Sequence, residues 1–443
     1  MRILALLAPL LLSACAFAYP DRIHYVWDPE TAPPAPESNG PPAQYGMSGA
    51  TFVGLALSGG GNRSGVFSAA GMEALHEHGL LSQTTHISSV SGGGFAAAWH
   101  VLNRPDLCYA EDASATRALC DDAFGAFQAA MRHSFFADLR ARELAPNRFG
   151  SPTRRLSSLA VSLDEAFIGG TTFAELPASP VLLVNAARYD DGRRFVFSNL
   201  TLPDETDAPG PLADPRLRAA SFSRPGCPAA TPGEFSFALA IATSAAFPVA
   251  FGPAAIEAPA DCADTRTEYW HLGDGGVIEN KGIETLEEVA LRAIDAGEVE
   301  RALLINLDAE LLADPQDLFS DSNLSLWTSN PARVVDVAME RGRGYHDLVW
   351  AELRESAPAP FELISARYTN ATMTEWPASC ARESRSGLSI TEHIAAIPTG
   401  LSISACDADL MEAAAHQLVH AAVNAQAEHL RAQGFMLREV APH

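Results

Sequence analysis

The chain alternates short apolar runs with glycine turns and stretches of helical periodicity. Residues 52–57 read Phe-Val-Gly-Leu-Ala-Leu, without a polar position, as expected of a strand buried on both faces. Ser58-Gly-Gly-Gly breaks that run. Residues 65–78 follow with apolar positions at Val66, Ala69, Ala70 and Leu75, a spacing that predicts a helix. The unit then repeats, with a strand expected over 85–90, a turn at Ser91-Gly-Gly and a helix over 93–102. Further strands are expected over 180–185, 193–197 (across an Asp-Asp-Gly turn), 301–307 and about 361–366. Residues 237–246 predict a short helix of small side chains, and 331–356 and 407–433 predict longer ones. Residues 103–170 read as mainly helical and 200–234 as a proline-rich loop. Strand, turn and helix in this order predict an α/β fold, with a mainly parallel central sheet flanked by helices on both faces. Residues 49–310 are expected to form one core, with 311–443 a mostly helical C-terminal extension packed on it.

The N-terminus adds a location. Met1-Arg2 precede an apolar stretch from Ile3 to Ala18, a signal-peptide layout too short to span a bilayer comfortably. Leu12-Ser13-Ala14-Cys15 resembles a bacterial lipobox, in which the cysteine is lipidated and becomes the first mature residue. Ala16-Phe17-Ala18 before Tyr19 also fits ordinary signal-peptidase cleavage. Lipidation at Cys15 is the preferred reading, and Ala16 carries no acidic retention signal. An exported protein is therefore expected, outer-membrane lipoprotein or periplasmic, with the membrane surface a partner through the anchor. Residues 19–48, rich in proline, read as a tether.

Of the seven cysteines, the six after Cys15 fall into couples near in sequence: Cys108 with Cys120, Cys227 with Cys262, and Cys380 with Cys406. Disulfides in an oxidising compartment are expected. The chain is read as having no Cys-x-x-Cys or His-x-x-x-His cluster, so no structural zinc is expected. The balance of 30 basic against 54 acidic residues gives a net charge of −24. That argues against a nucleic-acid partner and disfavours purely electrostatic docking on anionic membranes.

Two glycine turns carry the candidate chemistry. A serine on a sharp strand-to-helix turn projects its hydroxyl toward a helix N-terminus, which favours developing negative charge. Ser91 holds that place; Ser88 and Ser89 are rivals but lie within the preceding strand. In the loop Gly59-Gly60-Gly61-Asn62-Arg63, consecutive N–H groups can converge on an oxyanion, with Arg63 adding positive charge. A nucleotide-binding reading fails, because no lysine follows the glycines and their spacing is not Gly-x-Gly-x-x-Gly. Asp274, in the turn Asp-Gly-Gly, is a candidate base. His271 lies too close to it in sequence to bridge serine and aspartate and is expected to pack locally.

Glycine loop, then Ser91, then Asp274-Gly-Gly, with no histidine between, resembles the patatin-like phospholipase family. Thr243-Ser-Ala-Ala-Phe-Pro248 resembles that family's Ala-Ser-x-Ala-x-Pro segment, and the likeness covers about residues 50–285. The resemblance implies a three-layer sandwich, a lipid acyl hydrolase without cofactor or metal, and a lipid or phospholipid substrate. It implies Ser91 as nucleophile, Asp274 as base, and Gly59, Gly60, Gly61 and Arg63 about the oxyanion. An acyltransferase, an esterase for other substrates, or a silent lipid-binding lipoprotein are the alternatives. The chain departs from the pattern at Ser89, which replaces the first elbow glycine, and at Ser64, which intervenes before Gly65.

Overall fold

Thr51–Leu57 forms an inner strand of a nine-stranded sheet in the computed structural model. The structure describes residues 22–23, 47, 49–108, 113–144, 152–198, 200, 212, 214, 216–221, 235–248, 250–257, 269–311 and 324–440. The strands are β1 (Arg22–Ile23), β2 (Thr51–Leu57), β3 (His86–Val90), β4 (Val181–Arg188), β5 (Arg193–Phe197), β6 (Ala254–Glu257), β7 (Tyr269–Asp274), β8 (Arg301–Asp308) and β9 (Phe361–Arg367). The helices are α1 (Asn62–Glu77), α2 (Gly92–Asn103), α3 (Ala113–Met131), α4 (Phe135–Glu143), α5 (Pro152–Leu163), α6 (Phe237–Ser244), α7 (Ile283–Asp295), α8 (Leu324–Glu355), α9 (Ile390–Ala395) and α10 (Ala405–Ala432).

The strand order is β1-β6-β7-β4-β3-β2-β8-β9, with β5 beside β4. The run from β4 through β3, β2 and β8 to β9 is parallel, as the strand–helix alternation predicts. The pairs β4–β5, β4–β7 and β6–β7 are antiparallel, so the sheet is mixed. Successive residues of β2 feed two apolar layers. Val53, Leu55 and Leu57 join Val66, Phe67 and Ala70 of α1 on one face. Phe52 and Ala56 join Leu286, Val289 and Ala290 of α7 on the other. A strand between two helical layers has no polar face, which is why this run carries none.

Helices α1 and α2 start at Asn62 and Gly92, each directly on its glycine turn, and α8 starts at Leu324. Residues beyond 310 contribute β9 to the sheet as well as helices, and α10 packs along α1. The expected disulfides Cys108–Cys120 and Cys380–Cys406 are formed. Cys15, the signal segment, most of the tether and the Cys227–Cys262 couple lie outside the described residues. No helix among the described residues is long and apolar enough to cross a membrane.

Candidate active site

The register of β4 places the two chemical residues at one level. Asn185 of β4 pairs with Val90, the last residue of β3, and Ala186 pairs with Asp274, the last residue of β7. Because β3 runs parallel to β4 and β7 antiparallel, both chains arrive there from opposite directions. Ser91 is the turn after Val90, with φ 49° and ψ −121°. A side-chain-bearing residue holds positive φ only where its surroundings impose it, at about 1–3 kcal/mol. Here Ser91 is also the N-cap of α2, and its N–H donates to Ser244 Oγ at 2.9 Å.

Asp274 is 4% exposed, and its carboxylate accepts from the Ser91 hydroxyl and from Gly276 N–H, the latter at 2.7 Å. Burial pushes its carboxyl up to about 7, although both hydrogen bonds pull the other way. A carboxylate held near neutrality beside a serine hydroxyl is suited to taking and returning a proton at ordinary pH. His271 is bonded elsewhere. Its ring is half exposed and its Nδ1 lies 2.7 Å from Asp190 Oδ1. It packs locally, as its place in the strand predicts.

The glycine loop sits directly on the serine turn. Gly61 caps α1 with φ 60°, and a Cβ built on Gly92 would lie 2.0 Å from Gly61 O. Among the described residues, nothing accepts from the N–H groups of Gly60 and Gly61. The sequence expectation needs correction at its two flanking members. Gly59 N–H is already bonded to Asn280 O at 2.8 Å. Arg63 is 1% exposed, and its guanidinium donates to Ala309 O from both Nε and Nη2, to Ile397 O from Nη1 at 2.7 Å, and to Thr399 Oγ1. The ring of Tyr368 lies 5.2 Å from its Cζ. Its charge is committed to bracing the loop against residues 309 and 397–399. Arg63→Met would leave these buried carbonyls without donors, and we expect about 3 kcal/mol of lost stability in urea denaturation.

A family model for patatin-like phospholipases matches residues 55–286, just over half of the 443-residue chain. The chain belongs to the patatin-like phospholipase family. No curated protein matches it. Among solved structures it is similar to human GIVD cytosolic phospholipase A2, at 13% identity and a TM-score of 0.46, covering 88% of this chain and 61% of that one. It thus spans about three-fifths of the human protein's length. VipD from Legionella pneumophila is similar at 14% identity and a TM-score of 0.29, covering 84% of this chain and 67% of that one.

Within this patatin-like core, Asn185 and Ser244 tie the site together. Ser244, at the end of α6, accepts from Ser91 N–H and donates to Asn185 O at 2.5 Å. Asn185 Nδ2 donates to Ser88 Oγ at 2.8 Å and to Ser89 O, while its Oδ1 accepts from Thr285 Oγ1 at 2.6 Å. Ser244 stands in the family-like segment ahead of the Asp turn, but only the fold reveals that its hydroxyl holds the serine turn. Asn185 reads in sequence as one more strand residue. We expect Ser244→Ala to orphan the buried Ser91 N–H and Asn185 O, costing about 1–3 kcal/mol. Thermal melting together with kcat would show stability and turnover falling together.

Proposed function

We propose that the protein is a lipid acyl hydrolase of the phospholipase A or lysophospholipase type, acting through a Ser91–Asp274 dyad. The observation that carries the reading is the Ser91 hydroxyl, held on a strained turn and bonded to a buried carboxyl whose pKa is raised to about 7. In the proposed sequence, Asp274 takes the Ser91 proton as Oγ attacks the acyl carbonyl. The resulting oxyanion accepts from Gly60 and Gly61 N–H, beside the N-terminus of α2. The tetrahedral intermediate expels the alcohol, which receives the proton from Asp274. Asp274 then activates water against the acyl-enzyme, and the fatty acid leaves. Family membership supports a lipid ester as substrate. An envelope location, with Cys15 lipidated, is part of the same proposal, and the two disulfides support it because such bonds persist in oxidising compartments.

An alkyl fluorophosphonate tests the nucleophile. It should label the peptide containing Ser91, as read by mass spectrometry, and block fatty-acid release from a phospholipid or acyl ester in step with labelling. Release that persists with Ser91 fully labelled would sink the assignment.

A further inference from the structure

Away from Ser91, four side chains converge where α1 meets α10. Glu73 and Glu77 lie four residues apart near the end of α1, and His416 and His420 lie four apart on α10. That spacing puts each pair on one helix face. His416 Nε2 is 3.3 Å from Glu73 Oε2, and His420 Nε2 is 3.3 Å from Glu77 Oε2. One ligand atom each from Glu77, His416 and His420 lie within 4.8 Å of one another. Around a tetrahedral zinc, with bonds of about 2.0–2.1 Å to nitrogen and oxygen, neighbouring ligand atoms stand roughly 3.3 Å apart. Both cross-helix pairs already have that separation. The remaining separations within the Glu77–His416–His420 set are no more than 4.8 Å.

The surroundings supply the outer contacts that such a site uses. His78 Nε2 meets His420 Nδ1 at 3.0 Å, fixing the ring so that Nε2 faces Glu77. Gln128 Nε2 donates to Glu73 Oε2. Two other clusters combine histidine with cysteine: His76 with Cys108 and Cys120, and His393 with Cys406 and Asp407. Their sulfurs are committed to disulfides.

We propose that Glu77, His416 and His420, with Glu73 completing the set, bind one divalent transition-metal ion of the zinc class. Imidazole donors select such ions over calcium or magnesium. The ion would clamp α10 to the far end of α1, the helix whose first residues follow the Gly59–Gly61 loop. The His416-Gln-Leu-Val-His420 spacing corrects the sequence reading that no His-x-x-x-His cluster is present. Its significance lies in the carboxylates that another helix brings against it.

The test uses the full chain with its disulfides intact, stripped by a chelator and then dialysed against Zn2+. One zinc per chain is expected by elemental analysis, with a higher melting temperature than the stripped protein. Co2+ in its place should give the visible absorption bands of tetrahedral coordination. The double variant H416A/H420A should lose the stoichiometric ion while melting, metal-free, close to the stripped wild type. His78→Ala should weaken binding by about 10- to 100-fold. Absence of stoichiometric uptake by the wild type, or uptake unchanged in the double variant, overturns the proposal. If the double variant does not fold, the wild-type Co2+ spectrum decides alone: tetrahedral bands support the site, and their absence rejects it.

Discussion

Asp274→Asn should abolish ester hydrolysis and at the same time stabilise the fold at neutral and alkaline pH. Asparagine keeps an oxygen to accept from Ser91 and Gly276, but it cannot take a proton. A fall in kcat of about 10³-fold or more is expected, matched by Ser91→Ala. The stability gain follows from the same burial that makes Asp274 useful. Its carboxyl is raised from 3.8 to about 7 in the folded protein. Between those values the folded chain holds a proton that the unfolded chain has lost, so wild-type stability falls as pH rises through that window. Below it both states are protonated and no penalty remains. Above it the full penalty stands, about 4 kcal/mol. Urea denaturation of wild type and Asp274→Asn at pH 4 and pH 8 would show a gap that opens with rising pH. In the wild type, kcat/KM should climb to a plateau with a midpoint near 7. An Asp274→Asn enzyme with substantial turnover would remove Asp274 from the chemistry.

What the sequence made legible was local. The apolar run of residues 52–57 predicts a doubly buried strand because no polar position interrupts it, and the turns at Gly59–Gly61 and Ser91 announce where backbone must bend. Ser91 and Asp274 were readable as candidates because Ser91 directly follows one strand and Asp274 ends another, each within a short, recognisable stretch. What stayed hidden depends on partners distant in sequence. Arg63 reads as a spare cation in a glycine loop until Ile397, far along the chain, is found accepting its Nη1. Gly400 O likewise takes the N–H of Asn62, so residues 397–400 brace the loop from outside the matched family segment. Cys380–Cys406 closes the chain segment that contains this brace. The roles of Asn185 and Ser244 appear only when β4 sets β3 and β7 at one level. Antiparallel pairing of β7 was likewise invisible, since an apolar run does not state its direction.

Gly92→Ala should disable the site without removing any group from it. The added Cβ would lie 2.0 Å from Gly61 O and 2.5 Å from both Gly61 C and Gly61 N. All three are backbone atoms, so no side chain can swing aside to relieve the overlap. Either the serine turn or the glycine loop must shift, and these are the two parts whose relative position sets the distance from Ser91 Oγ to the Gly60 and Gly61 N–H groups. A misplacement near 1 Å lowers turnover by about 10²-fold. Gly94→Ala is the internal control on the same helix. Its Cβ would meet Ile241 Cδ1 at 3.4 Å and Ser89 Oγ at 3.7 Å, which is ordinary contact. Alanine there should keep most of the wild-type kcat, and its higher helix propensity offsets part of any small repacking. Measured side by side, labelling of Ser91 by a fluorophosphonate should slow sharply in Gly92→Ala and remain close to wild type in Gly94→Ala. Equal rates in the two variants would mean that the glycine loop does not need to seat against the serine turn, and the Gly60–Gly61 oxyanion site would fall with that requirement.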